Sequence, residues 1–327
     1  MTTSLLEIKD LHVWFSVYGG TLRVLDGVNF QLGKSEKVGL VGEAGCGKTT
    51  TMKSILRILP RTARIPRGEV FFGGKDVLKM SSKDVQRVRR RGISMIFQDP
   101  TAALNPVFKI GEQITDVIRY STIDPKTGKD LPKEEIRARA VQVLQDVALP
   151  DPERIMDNYP IQLSGGMRQR VCIAMALVSA HDLLIADEPG TSLDVTIQDQ
   201  ILRLLGQLAE ERGISVILIS HALGAVRGLV DRVYVMYAGN IVEVAKTQDL
   251  FSNPLHPYAQ GLLKAVPKLT GGGIPESIRG RIPSYLNPPE GCRFHPRCEH
   301  TMPICEKDRP RLLDAGNRDV ACFLYQK

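Results

Sequence analysis

The stretch GEAGCGKT, Gly42 to Thr49, emerges from the short apolar run KVGLVG and leads into KTTTMKSILRIL, whose apolar residues have helical spacing and which stops at Pro60. It fits the pattern G-x-x-x-x-G-K-[ST] in the strand-to-helix setting that the pattern requires. A buried strand that feeds a helix N-terminus through glycines commits this part of the chain to an α/β fold. Gly42, Gly45 and Gly47 let backbone N–H groups turn inward around phosphate oxygens, and the helix N-terminus adds its positive dipole end. Lys48 is placed to pair with β- and γ-phosphates, and the Thr49 hydroxyl to ligate Mg2+. Glu43, Ala44, Cys46 and Thr50 complete the expected nucleotide-contacting stretch, with Cys46 contributing its backbone while its thiol is incidental.

The rest of the chain supports that fold. LLEIKDLHVWFSVYGGTLRVLDGVNFQL alternates around a Gly-Gly turn and reads as antiparallel strands; GEVFFGGKDV reads as a hairpin, SSKDVQRVRRRG as a capped helix and ISMIFQ as a buried strand. From about Phe108 to Ala180 the spacing is mostly helical. Then LLIADE, VTIQDQILRLLGQLAEERG, ISVILIS, ALGAVRGLV and RVYVMYAG alternate strand and helix, which predicts a mainly parallel sheet sandwiched by helices with a helical insertion. The expected division is an ATPase domain over residues 1–250 with a helical subdomain at about 100–180, followed by a small extension over 251–327; TGGGIP is the expected joint before its cysteines.

With 327 residues and 43% apolar side chains, the chain can bury a large core. No apolar run approaches the ~18–20 residues that cross a bilayer, and the opening MTTSLLEIKD lacks both a basic and a long apolar region. A protein at the cytoplasmic side is expected, where thiols stay reduced and clustered cysteines favour a metal over disulfides. The formal charge of +7 is a modest excess, and RVRRR, Arg87 to Arg91, reads as a solvated helix face. No aromatic-rich basic stripe points to nucleic acid.

The strand LLIADE ends in two adjacent carboxylates that point to opposite faces. Asp187 can bind the Mg2+ shell, while Glu188 can reach the water that attacks the γ-phosphate. LSGGMRQR, Leu163 to Arg170, places Ser164 and the N–H groups of Gly165 and Gly166 at the start of an apolar helix, a second anion-binding helix end in one chain. This octapeptide closely resembles the signature of the ATP-binding cassette family. The resemblance implies that the signature of one subunit closes over the ATP held by the phosphate loop of a second. It also implies that Gln98 is the glutamine that senses Mg2+ and the attacking water, that Ser192 to Asp194 cross the dimer interface, and that His221 contacts the γ-phosphate. An upstream aromatic residue should stack on adenine, and counting back from GVNFQL favours Tyr18 over Phe15 or Trp14. The chain departs from the family pattern at Ala44, Gly190, Ser192 and Ala222, while Lys48, Gln98, Asp187, Glu188 and His221 are present, so a competent ATPase site is expected.

FQDPTAALNPVFKIGEQI and LFSNPLHPYAQGLLKAVP closely resemble the ATP-binding subunits of oligopeptide/dipeptide importers. The resemblance runs from about Leu5 to Cys322. It implies two transmembrane permease subunits, a second and usually non-identical ATPase subunit, an external substrate-binding protein, and a peripheral position on the cytoplasmic face of the cell membrane. Cys292, Cys298, Cys305 and Cys322, spaced C-x5-C-x6-C-x16-C, are where the same resemblance places a [4Fe-4S] cluster. Four thiolates also suit tetrahedral zinc, although structural zinc sites favour tighter cysteine pairs, so zinc stays the alternative. His295 and His300 are expected outside the ligand set. The competing functional readings are a soluble cassette ATPase acting on ribosomes or nucleic acid, and a module that binds ATP without cleaving it.

Overall fold

The computed structural model describes residues 4–122, 131–191, 193–266 and 278–326. The expected joint TGGGIP and Ser192, expected at a dimer interface, lie outside the described residues. The chain divides into two compact units, Met1–Met80 with Leu218–Lys327, and Ser81–Ile217.

In the first unit, β1 (Leu6–Val17) and β2 (Gly20–Leu32) form the expected antiparallel hairpin, paired from Leu6 with Leu32 to Val17 with Gly20. Leu6, Ile8, Leu11 and Val13 point into the core. The step from Ile8 to Leu11 is three residues instead of two because a bulge intervenes, where Asp10 takes the left-handed conformation (φ 47°) that aspartate tolerates. β3 (Lys37–Val41) leads through the glycine-rich loop into α1 (Lys48–Ile55). β4 (Ala63–Phe72) then pairs with the free side of β1, and β5 (Lys75–Asp76) closes this four-stranded sheet.

The second unit opens with α2 (Ser82–Arg91), whose N-cap Ser81 accepts a hydrogen bond from the Asp84 N–H. The RVRRR run forms the end of this helix. Arg89, Arg90 and Arg91 occupy its last turn, where cations complement the helix dipole, and Arg87 pairs with Asp84. β6 (Ile93–Ile96) follows, then α3 (Pro100–Ala103), α4 (Ile110–Ser121), α5 (Lys133–Asp146), α6 (Pro152–Asp157) and α7 (Gly165–Ser179). α7 packs against α4, α5 and β6, which is why Val171, Ile173, Ala174 and Leu177 are all buried. β7 (Leu183–Asp187) pairs in parallel with β6, and α8 (Val195–Glu211) completes the unit before β8 (Ser215–Ser220).

On its return to the first unit the chain forms α9 (Leu223–Arg227), β9 (Arg232–Tyr237), β10 (Asn240–Lys246), α10 (Thr247–Ser252), α11 (Pro257–Lys264), α12 (Pro303–Lys307), β11 (Leu313–Asp314) and β12 (Asp319–Val320). β9 lies parallel to β3, whereas β10, β12 and β11 extend it in antiparallel fashion. The parallel pairings were expected, and this antiparallel flank was not. β11 and β12 are too short to show a period in the sequence, and they form because β10 offers an edge.

Charge and aromatic packing bind the C-terminal segment to the body of the first unit. The Glu243 carboxylate is 0% exposed and accepts the N–H groups of Leu255 and His256 at 3.0 and 2.8 Å, with Arg318 at 3.6 Å. The His256 Nδ1 accepts the Tyr258 N–H at 3.0 Å, and burial pushes the His256 pKa down to about 3, which keeps the ring neutral as an acceptor must be. Tyr237 meets Tyr258 and Phe294 edge-on at 4.6 and 5.0 Å between ring centres. Replacing Glu243 by Leu strands two N–H groups and removes the charge that faces Arg318, so Glu243→Leu is expected to cost about 3 kcal/mol in urea unfolding. Glu243→Gln, which keeps an acceptor, should cost less.

Candidate functional site

β3 ends in buried Leu40 and Val41, and the chain then turns through three glycines with positive φ: Gly42 (155°), Gly45 (81°) and Gly47 (111°). Gly42 has a second constraint, because a Cβ there would sit 2.2 Å from the Met236 carbonyl oxygen. Gly47 is the N-cap of α1, so the loop delivers its N–H groups to a helix N-terminus as the sequence predicts. The Lys48 side chain folds back over the loop, with Nζ donating to the Gly42 and Glu43 carbonyls at 2.7 and 3.0 Å. Ala44 and Gly45 are exposed at the loop tip, Thr49 and Thr50 are half-buried on the first turn of α1, and the Cys46 thiol is buried with its pKa raised by desolvation. Tyr18 stands fully exposed in the turn between β1 and β2.

In the second unit every residue of β7 is buried up to Asp187, which is 3% exposed. Glu188 follows with φ 50°, a left-handed conformation that costs of order 1 kcal/mol in a non-glycine residue. The N–H groups of Gly190 and Thr191 close a turn on the Glu188 carbonyl. The strain turns the carboxylate toward Gln98, whose Nε2 donates to Glu188 Oε2 at 2.9 Å, and Thr191 Oγ1 donates to the same oxygen at 3.3 Å. Gln98 and Glu188, two of the expected site residues, thus meet. Ser164 is the N-cap of α7, accepting the Met167 N–H, with Gly165 exposed and Gly166 half-buried in the first turn. Asp194 is the exposed N-cap of α8. His221 is exposed just after β8, beside a turn in which Ser220 Oγ accepts the Ala222 N–H. In the second unit Gln98 and Asp187 carry carboxamide and carboxylate oxygens, and in the first Thr49 carries a hydroxyl, each an oxygen donor of the type a hard divalent cation takes.

A model described as ABC transporter matches residues 25–191, and one described as Oligopeptide/dipeptide transporter, C-terminal region matches residues 242–305. The chain is 42% identical to the dipeptide transport ATP-binding protein DppD of Bacillus subtilis, over 98% of this chain and 95% of that one. It is also 42% identical to the oligopeptide transport ATP-binding protein OppD of Salmonella typhimurium, over 98% and 93%. The chain belongs to the ABC transporter family. Among solved structures it resembles the ATP-binding cassette MJ0796 bound to ADP and Pi, with a TM-score of 0.65 and 26% identity over 74% of this chain and 98% of that one. Cassettes of this family are ATP hydrolases, and here the cassette is joined to the C-terminal region of the oligopeptide/dipeptide transporters.

That region contains Cys292, Cys298 and Cys305, and Cys322 lies just beyond it. All four thiols are free and line one cavity together with Phe294 and Met302. The Cys292 N–H donates to the Cys305 carbonyl at 2.8 Å, an approach that glycine at 291 permits, since a Cβ there would lie 2.3 Å from that oxygen. Among the described residues no three His, Cys, Asp or Glu side chains are arranged as a metal site, so the cassette's expected cluster is not formed by this geometry alone. Four thiols that line one cavity are donors of the type such a cluster takes. Burial pushes the Cys292 thiol up to about 11 and the neighbouring thiols push it the same way, while no Lys or Arg lines the cavity to neutralise a thiolate. His295 Nδ1 lies 2.9 Å from the Cys292 carbonyl.

Sequence reasoning missed three residues that touch the phosphate loop. Tyr258 accepts the Glu43 N–H, Tyr285 donates to the Gly45 carbonyl, and Arg297 pairs with the Glu43 carboxylate. Their only signal was position: Tyr258 lies in NPLHPYAQGLL, singled out for its resemblance to importer subunits, and Arg297 lies among the clustered cysteines. For the predicted base, Glu188→Gln in the purified transporter should lower ATP turnover by roughly 10²- to 10⁴-fold while nucleotide binding persists. Turnover that survives the substitution would remove Glu188 from that role.

Proposed function

We propose that this chain is the ATP-hydrolysing subunit of an importer that takes up oligopeptides or dipeptides. The observation that carries the reading is the union, in one chain, of the cassette with the transporter-specific C-terminal region, at near full-length likeness to Dpp and Opp ATP-binding proteins. In this reading residues 1–250 are the ATPase domain and 251–327 its extension. Lys48 and the loop N–H groups hold the phosphates, and Tyr18 stacks on adenine. Thr49, Gln98 and Asp187 would hold Mg2+, which would supply positive charge to the bound phosphates. Glu188 takes the proton of the attacking water, Gln98 orients it, and His221 contacts the γ-phosphate. Ser164, Gly165, Gly166 and Asp194 cover the nucleotide of a second ATPase subunit.

ATP binding then closes the pair of cassettes and hydrolysis reopens it, a population shift that the membrane subunits follow. Among the described residues no helix is long and apolar enough to cross a membrane. The likeness to peptide-transport ATP-binding proteins supports two permease subunits as partners, with an external protein delivering the peptide. In the second unit Phe97, Val107, Phe108 and Ile161 expose apolar side chains that suit contact with such subunits. The reading against nucleic acid or ribosomes as partners rests on the transport subunits that the chain resembles along its length.

Cys292, Cys298, Cys305 and Cys322 are proposed to hold a [4Fe-4S] cluster, which supplies a fold-stabilising cross-link to a segment poor in regular structure. Two measurements test these readings. Deleting the gene, or supplying it as Glu188→Gln, should abolish uptake of labelled di- or oligopeptides, and uptake that continues would sink the importer. Anaerobic purification should yield about four iron and four acid-labile sulfide per chain. Zinc without sulfide would replace the cluster by a zinc site, and Cys305→Ser should lose the metal in either case.

A further inference from the structure

The C-terminal segment reaches the phosphate loop from three places. Arg297 forms a two-pronged ion pair with Glu43, Nη1 to Oε2 at 2.7 Å and Nη2 to Oε1 at 3.1 Å. The Tyr258 hydroxyl, on α11, accepts the Glu43 N–H at 2.8 Å, and the Tyr285 hydroxyl donates to the Gly45 carbonyl at 2.8 Å. These contacts span 240 residues of sequence in the case of Tyr285 and 254 in the case of Arg297, so they are tertiary and not features of the loop itself.

Arg297 is itself held rigidly. Its side chain is 4% exposed, against 30% for Glu43. Nε donates to the Arg279 carbonyl at 2.8 Å, Nη2 to the Ile278 carbonyl at 3.1 Å, and Nη1 reaches the Tyr237 hydroxyl at 3.4 Å. The planar fork meets the carboxylate in the geometry that gives such pairs their directional strength, and the hydrogen bonds to Glu43 hold its pKa above the usual arginine value. The guanidinium is thus a fixed post, and Glu43 is tied to it.

We propose that Arg297 is a positioning residue for the phosphate loop: through Glu43, and with Tyr258 and Tyr285, the C-terminal segment clamps the loop in its nucleotide-receiving shape. The inference rests on the reading that this loop binds ATP. Lys48 holds the Gly42 and Glu43 carbonyls through an ammonium that must turn to the β- and γ-phosphates when ATP enters. Once it turns, Glu43 keeps its bonds to Arg297 and Tyr258, so the clamp preserves the loop through the step in which its own lysine lets go. A loop without the clamp samples other shapes, and apparent affinity falls by the fraction of time it spends in them.

The test uses the full chain with a fluorescent ATP analogue, and the assembled transporter for kinetics. Arg297→Gln and Glu43→Gln should each raise the Kd by roughly tenfold, and the double variant by no more than either alone, because both remove one interaction. KM should rise with them while kcat stays within roughly twofold, a split that general loss of folded protein would not produce. Tyr285→Phe, which keeps the ring and loses only the hydroxyl, should raise the Kd by a smaller factor and serves if Arg297→Gln fails to fold. Unchanged affinity in Glu43→Gln and Tyr285→Phe, or additive effects in the double variant, would overturn the clamp. A wild-type chain that binds no ATP, with Lys48→Ala behaving identically, would instead overturn the reading beneath it.

Discussion

Backbone N–H groups at the start of a helix have no partner within that helix, and a phosphate site is made by turning that deficit toward an anion. In this chain the turn is possible because buried β3 fixes where the loop starts and glycines at 42, 45 and 47 supply the positive φ angles that other residues resist. Gly42 also lies against the Met236 carbonyl on β9, so the parallel pairing of β3 with β9 and the shape of the loop depend on each other. The C-terminal segment completes the support. Its anchors are desolvated ion pairs, Arg297 with Glu43 and Arg318 with Glu243, whose partners leave few rotamers open. Pairs of this kind add less to stability than to uniqueness of conformation when every donor is used, and a loop that must receive phosphate in one shape draws on that uniqueness.

The second unit treats its carboxylates differently. Asp187 ends a strand with its side chain buried, whereas Glu188 is set in a left-handed turn and leaned on by Gln98 and Thr191. Two acidic side chains one residue apart therefore occupy unlike environments, one dry and one half-exposed. Chemistry that asks one carboxylate to hold a metal and its neighbour to take a proton needs that difference. The Gln98 amide is bonded to the Glu188 carboxylate, so the movement of either is felt by the other.

Much of this was legible in the sequence because the features are local. The loop, the paired carboxylates, the Ser-Gly-Gly helix start and the β1–β2 hairpin each lie within a short window whose spacing states the geometry. What was not legible is tertiary. No periodicity announces that β10 offers an edge to β12 and β11, whose two-residue strands exist only through that pairing. Nor does spacing reveal that Glu43, one of the variable positions of the loop pattern, meets Arg297 across 254 residues. RVRRR was read in the sequence as a solvated helix face, and it forms the end of α2. Its charge density invites a phosphate or lipid partner, yet three of its arginines simply finish a helix, where the dipole favours them.

The cysteine segment and the phosphate loop are usually read as separate motifs, but the chain between Cys292 and Cys298 is five residues long and two of those five are Arg293 and Arg297. Arg293 reaches Asp26 at 3.2 Å and the Ala238 carbonyl, and Arg297 reaches Glu43. The turn that carries the first two thiols also carries the two guanidiniums that grip β2 and the loop. No long element keeps this turn in place, so its conformation is set by what converges on it: Phe294 packs against Tyr237 and Tyr258, and carboxylates and carbonyls meet the two arginines. The thiols and the arginines of this turn therefore share one backbone, and Arg297 reaches the phosphate loop through Glu43.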